Sequence, residues 1–323
     1  MKNEKNSENL KIGLAQFAPV WFNRQKTLDK VLAFAEDAAA QNCEIVVLGG
    51  EACVPGYPLW LELTGGAVFN SSVQKEFFAE YANQAVVIER GDLQPLRDLA
   101  REKRMALYIG TVEKPPERGG HSLYCSLIFI DCDGEIKSVQ RKLIPTYEER
   151  LAWSIGDGNG LRVHQIGAFT VGGLNCWENW MPLARTALYA QGEDFHVCVF
   201  PGSRRNTDDI TRFIAKESRS FVASVSCLMR KEDFPAETIH LDKILENAPD
   251  VLTDGGTCLA APDGKWIIEP FCGVEKLLVA EISHQRVREE RHNFDAAGHY
   301  SRPDVLQLNV NRSRQKIVNF EES

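Results

Sequence analysis

No Cys-x-x-Cys pair and no closely spaced His-x3-His pair occurs in this chain, so no structural zinc site is expected. The nine cysteines are scattered at positions 43, 53, 125, 132, 176, 198, 227, 258 and 272. Cys125, Cys198 and Cys227 fall inside apolar strand-like runs, which reads as reduced, mostly buried thiols. No apolar run approaches the roughly 20 residues that span a bilayer. The first ten residues are polar and carry no signal-peptide core, so a cytoplasmic protein is expected. Positive charge is also short. Against 45 Asp and Glu stand 37 Lys and Arg, a net charge of -8, which argues against a nucleic-acid partner or an anionic membrane. The glycine-rich Gly156-Asp-Gly-Asn-Gly160 follows no strand and lacks the Lys-Ser/Thr of a P-loop, so it reads as a loop. No linker and no internal repeat divides the 323 residues, and one domain over 1–323 is expected.

What is present is ordinary globular composition, 44% hydrophobic and 25% charged, patterned in alternating elements. Residues 11–18 read as a strand, and 27–40 carry Leu28, Val31, Leu32, Ala35, Ala38 and Ala39 at the spacing of an amphipathic helix. Residues 44–48 form a nearly continuous apolar strand of the kind covered on both faces. A mostly helical stretch is expected at 86–101 and a strand at 106–112. Asp133-Gly134 and Asp263-Gly264 are two-residue hairpin signals, between 124–130 and 135–140 and between 257–261 and 266–269. Strands are expected at 169–174, 195–200, 221–227 and 277–282, with helices at 183–191 and about 207–219. Strands alternating with helices but interrupted by hairpins predict an α/β fold with mixed sheets and helices on their faces.

Three segments carry chemistry. Cys176 lies in Gly172-Gly-Leu-Asn-Cys-Trp-Glu-Asn-Trp-Met-Pro182, where a strand gives way to a helix. A side chain at such a turn is lifted above the sheet edge, and nearby N–H groups favour a thiolate nucleophile. Glu51 follows the buried strand at 44–48, among Val54, Pro55, Tyr57 and Trp60, where partial desolvation suits an acid–base group. Lys142 ends the second strand of the Asp133-Gly134 hairpin and is placed to hold developing negative charge; Glu149, seven residues on, can fold back to orient it. Each has a structural competitor: a buried cysteine, a solvated glutamate, a surface charge cluster. A strand-end Glu, a strand-end Lys and an elbow Cys together favour chemistry.

With these residues in place the chain resembles the nitrilase superfamily of carbon–nitrogen hydrolases, whose Glu-Lys-Cys order matches Glu51, Lys142 and Cys176. The resemblance also covers Lys11-Ile-Gly-Leu-Ala-Gln-Phe17, Pro55-Gly-Tyr-Pro58, Arg141-Lys-Leu-Ile-Pro-Thr146 and Asn293-Phe-Asp-Ala-Ala-Gly-His-Tyr-Ser-Arg-Pro-Asp304. Cys176-Trp-Glu-Asn179 and Gly298-His-Tyr-Ser-Arg-Pro-Asp304 look like the true nitrilase branch. Glu149 aligns with the second glutamate of the family; Glu148 is less well placed. Gly49-Gly50 and Trp180 depart from the usual pattern, and both bear on substrate specificity.

The resemblance implies a four-layer αββα sandwich, with residues from about 284 to 323 as a C-terminal extension, assembled as a homodimer or higher homo-oligomer. It implies hydrolysis of a nitrile to the acid and ammonia through a Cys176 thioimidate and thioester, with no metal and no organic cofactor. Stopping one step earlier releases the amide. Tyr57, Trp60, Tyr147, Trp153, Trp177 and Trp180 suggest an apolar pocket for the organic group, each with core packing as its competing role. His299, Tyr300 and Arg302 are assigned a structural role. An amidase or carbamoylase using the same triad is the alternative enzyme, and a catalytically silent interaction protein the alternative outside enzymes. A papain-like Cys-His protease ranks third, since no histidine sits in a comparable strand-end motif.

Overall fold

The computed structural model describes residues 8–318. In chain order the elements are β1 (Asn9–Gln16), α1 (Arg24–Ala40), β2 (Ile45–Leu48), α2 (Trp60–Leu63), α3 (Ser72–Gln84), α4 (Gln94–Lys103), β3 (Ala106–Glu113), β4 (Tyr124–Ile130), β5 (Ile136–Arg141), β6 (His164–Ile166) and β7 (Phe169–Asn175). There follow α5 (Pro182–Tyr189), β8 (Phe195–Phe200), α6 (Arg204–Ser218), β9 (Phe221–Ser226), β10 (Leu228–Arg230), α7 (Leu241–Asn247), β11 (Val251–Ala260), β12 (Trp266–Cys272), β13 (Lys276–Ser283) and α8 (His284–Arg291).

Two mixed sheets form, ordered β13-β1-β2-β3-β4-β5 and β10-β11-β9-β8-β7-β6, with β12 beside β11. Their inner faces meet in one core: Leu10, Ile12, Leu14, Ile45 and Val47 of the first sheet against Phe169, Val171, Phe195, Val197 and Val225 of the second. Period-two alternation sends Ala15, Val46 and Leu48 to the other face, under Leu28, Val31 and Ala35 of α1 and Leu96 of α4. β2 is buried on both faces, which is why it reads as an unbroken apolar run. On the second sheet, Cys198, Phe200 and Val222 pack under Ile210 and Ile214 of α6, and Leu174 under Ala184 and Leu188 of α5. The layers are therefore α, β, β, α.

Local signals account for where the elements differ from expectation. The stretch at 86–101 is not one helix: Val86 bridges to Glu113, and the helix begins beside Pro95, in the first turn where a missing N–H costs nothing. α3 was not anticipated; it carries a Ser71 N-cap that accepts from Gln74 N. β11 runs back to Val251, further than its apolar core suggests, because its first residues pair with β10. After α8, residues 292–318 carry no regular structure, but Arg314 pairs with Asp157 at 2.9 Å and donates to Val139 O, tying this segment to β5. Among the described residues no helix is long and apolar enough to cross a membrane.

The topology brings three strand ends together. β2 and β3 are parallel, and β4 lies antiparallel to both β3 and β5, so β2 and β5 finish on one edge. The sheets meet there: Glu51 N donates to Phe200 O at the end of β8, 3.1 Å away. Gly50 makes this approach possible, since a Cβ at that position lies 1.9 Å from Phe200 O.

Candidate active site

Glu51 leaves the end of β2, Lys142 follows the last residue of β5, and Cys176 follows the last residue of β7. All three are buried, with Glu149 beside them. Lys142 Nζ lies 2.6 Å from Glu51 Oε1 and 2.6 Å from Glu149 Oε2. The thiol of Cys176 and one oxygen of each carboxylate lie within 4.8 Å of one another. This trio is the one grouping of metal-ligand type among the described residues, and the Lys142 ammonium already bridges its two carboxylates.

Each group is set by its own segment. Lys142 N donates to Cys125 O at 2.7 Å, and the preceding Arg141 forms a two-pronged pair with Glu113 at 2.7 and 2.8 Å. Glu149 is N3 of a capping box: its Oε2 accepts from Thr146 N at 2.6 Å, while its own N donates back to the Thr146 side chain. Tyr57 Oη lies 2.8 Å from Glu149 Oε1 and 3.0 Å from Glu148 Oε1, one hydroxyl proton serving both. Cys176 opens a 3-10 turn (Cys176–Trp180) at φ +47°, left-handed for a residue with a side chain, a conformation costing on the order of 1–3 kcal/mol.

The electrostatics follow from burial. Burial, then Glu51, hold the Cys176 thiol well above the ordinary cysteine range. The sequence expectation of a turn that favours thiolate is overruled: α5 begins only at Pro182, and desolvation beside a carboxylate outweighs the N–H groups of one short turn. Cys176 is therefore held as the neutral thiol. Burial alone lowers the Lys142 ammonium, but Glu51, then Cys176 and Glu149, more than offset it and raise it well above normal. Burial and then Glu51 push Glu149 up to about 7. Glu51 Oε1 takes Lys142 and the Cys125 thiol, at 3.4 Å for the latter, while Oε2 has no hydrogen-bond partner among the described residues.

The cluster opens into a cavity of about 460 Å³ lined by Tyr57, Leu59, Glu62, Thr146, Glu148, Glu149, Cys176, Trp177, Pro201, Gly202, Ser203, Arg205, Asn206, Leu252 and Thr253. Of the aromatic residues expected around a pocket, Tyr57 and Trp177 line it. Trp60 does not: it is buried in an aromatic core, 4.6 Å from Tyr81 and 5.3 Å from Phe22 between ring centres. Tyr147 points to solvent, 83% exposed, because Thr146 and Glu149 fix its turn and turn it outward. Trp180 stands beside Trp177 and Phe213 on the surface, outside the cavity lining. Trp153 supports from below, its ring 5.6 Å from Lys142 Nζ and edge-on to Tyr57. His299, Tyr300 and Arg302 line no part of the cavity; the Tyr300 ring lies tilted against Phe294, 4.6 Å between centres, and Arg302 pairs with Asp304.

Two residues had no role assigned from sequence. Glu178, two residues after the cysteine, is fully buried and joins the cysteine turn to the lysine strand. Its Oε1 accepts from Leu143 N at 2.6 Å and Gln140 Nε2 at 3.2 Å, and its Oε2 from Asn175 N at 2.9 Å. A glutamate at N3 after Asn175 is a capping-box signal that was legible. Cys125, inside β4, reaches Glu51 only because β3 pairs with both β2 and β4; no local pattern marks it.

A model of the family described as carbon-nitrogen hydrolase matches residues 11–292. The chain is 34% identical over 310 residues to a nitrilase 2 of an unknown prokaryotic organism, covering 96% of this chain and 95% of that protein. It is 31% identical to a bifunctional nitrilase/nitrile hydratase of Lupinus angustifolius, covering 99% and 91%. Among solved structures, a carbon-nitrogen hydrolase from Helicobacter pylori superposes with a TM-score of 0.69 at 19% identity, covering 92% of this chain and 96% of that one, a likeness of fold.

Proposed function

The chain belongs to the carbon–nitrogen hydrolase family, and from that premise we propose that it is a nitrilase, hydrolysing an organic nitrile to its carboxylic acid and ammonia. The observation that carries the chemistry is the Lys142 ammonium held 2.6 Å from both Glu51 and Glu149 beside the Cys176 thiol. The nitrile is supported by relatives named nitrilases that match nearly the whole chain.

In this reading Glu51 takes the Cys176 proton as sulfur attacks the nitrile carbon, and the unpartnered Oε2 is free to do so. The displaced π pair moves to nitrogen, which receives the proton from Glu51, giving a thioimidate. Lys142 has three N–H groups and two carboxylate partners, leaving one for the nitrogen or oxygen that gathers charge. Glu149 holds the ammonium in place. Water, activated by Glu51, adds to the thioimidate; ammonia leaves with a transferred proton, and a thioester remains. A second water frees the acid and returns the thiol, two waters consumed for each nitrile. If the tetrahedral adduct expels sulfur instead of ammonia, the amide is released.

Tyr57 and Trp177 are the aromatic contacts this reading gives the organic group. The protein is read as a single carbon–nitrogen hydrolase domain with a C-terminal extension from about residue 284, cytoplasmic and homo-oligomeric. The exposed Trp180, Leu183 and Phe213 support a self-association face.

The test is ammonia release from aliphatic, aromatic and arylacetonitrile substrates beside the matching amides, with Cys176→Ala as control. Release from nitriles that disappears in Cys176→Ala is expected. Release from amides alone moves the protein to the amidase reading, and activity retained in Cys176→Ala overturns the nucleophile.

A further inference from the structure

The unusual backbone of Cys176 is held by a chain of side chains that do not line the cavity. Asn179 Nδ2 donates to Cys176 O at 2.8 Å and to Leu174 O at 3.2 Å. With both amide protons spent on carbonyls, Asn179 Oδ1 is the atom facing His196 Nε2, 2.8 Å away, so that nitrogen carries a proton. His196 Nδ1 lies 2.9 Å from both oxygens of Glu193. Asn179, His196 and Glu193 are completely buried. A ring that donates to an amide oxygen on one side and a carboxylate on the other suits an imidazolium. Burial alone lowers the His196 pKa, but Glu193 outweighs it and the ring is raised to about 10. Gly172 makes room for this pair: a Cβ there lies 2.1 Å from Glu193 Oε1. From the other side, Arg185 Nη1 donates to the Asn179 carbonyl at 2.7 Å and is itself anchored on Glu217.

We propose that Glu193, His196 and Asn179 form a buried positioning chain that keeps Cys176 in its left-handed, attack-ready conformation. Glu193 fixes the ring, the ring fixes which way the Asn179 amide faces, and the amide grips the Cys176 carbonyl. A buried ion pair contributes little net stability compared with a well-packed apolar pair, so orientation is the stronger reason for this one. The inference rests on Cys176 being the nucleophile. It is distinct from the Glu51–Lys142–Glu149 chemistry, because these residues act on the thiol only through its backbone.

The test reads the thiol itself. Alkylation of Cys176 by iodoacetamide is followed by peptide mapping in the full-length protein, alongside kcat and KM for a nitrile and the melting transition. Asn179→Leu, close in shape but without either hydrogen bond, and His196→Phe are expected to lose 10- to 100-fold in Cys176 alkylation rate and kcat, with KM little changed. Glu193→Gln is expected to stay near the parent rate, since its amide can donate to Nδ1 and leave the Nε2 proton facing Asn179. Asn179→Leu folded and alkylating at the parent rate with the parent kcat overturns the proposal. So does Glu193→Gln falling as far as His196→Phe, which assigns the pair to charge rather than orientation. Ammonia release retained in Cys176→Ala is a separate outcome that removes the premise.

Discussion

The backbone N–H of Leu143 donates to Glu178 Oε1 at 2.6 Å, so the residue after the lysine is tied to the residue two after the cysteine. Because the other oxygen of Glu178 accepts from Asn175 N, one buried carboxylate ties β5 to β7 at the end where Lys142 and Cys176 lie.

Glu178→Gln converts one of those acceptor oxygens into a donor facing a backbone N–H. The expected result is a loss of about 1.5–3 kcal/mol in stability, the range for hydrogen bonds to a charged group. A fall in kcat larger than any rise in KM should accompany it. Urea unfolding and steady-state kinetics check both; an unchanged midpoint removes the clamp.

Glu149, raised to about 7 by burial and Glu51, places an acid limb in the activity profile. The form that holds Lys142 is ionised, so activity is present above about pH 7 and falls as the pH drops through it. In Glu149→Gln, kcat should fall and this limb should leave the kcat/KM profile. A limb near pH 7 that persists in the variant assigns it to another group.

Trp60 and Trp177 should separate stability from binding. Trp60→Ala is expected to cost about 3–5 kcal/mol, as large core truncations do, with KM for the folded fraction little changed. Trp177→Ala, at the cavity and half-exposed, should raise KM and leave the melting temperature close to the parent. The reverse pattern returns Trp60 to the substrate.

His164 stacks on Phe129, ring centres 4.0 Å apart, and burial followed by Arg162 lowers its pKa from 6.5 to about 4. The folded state therefore binds fewer protons than the unfolded chain between pH 4 and 6.5. Its stabilisation is complete above 6.5 and is lost as the pH falls to 4, at up to about 1.4 kcal/mol per pH unit. His164→Phe should flatten this part of the acid limb of urea stability; an equal slope in both proteins sinks the assignment.

Residue chemistry and spacing along the chain were sufficient for much of this protein. Alternating and unbroken apolar runs marked most central strands, because burial on one or both faces is written into local periodicity. Two Asp-Gly turns marked hairpins, and Glu51, Lys142, Glu149 and Cys176 stood out because each sits at a strand end or in the turn that follows. Contacts across the sandwich were another matter. Whether Trp60 faces a substrate or a core, why Cys125 touches Glu51, and how His196 reaches Asn179 depend on which strands become neighbours. The state of the Cys176 thiol belongs there as well. A turn read in isolation favours thiolate, whereas the folded site removes water and sets a carboxylate beside the sulfur, and desolvation wins.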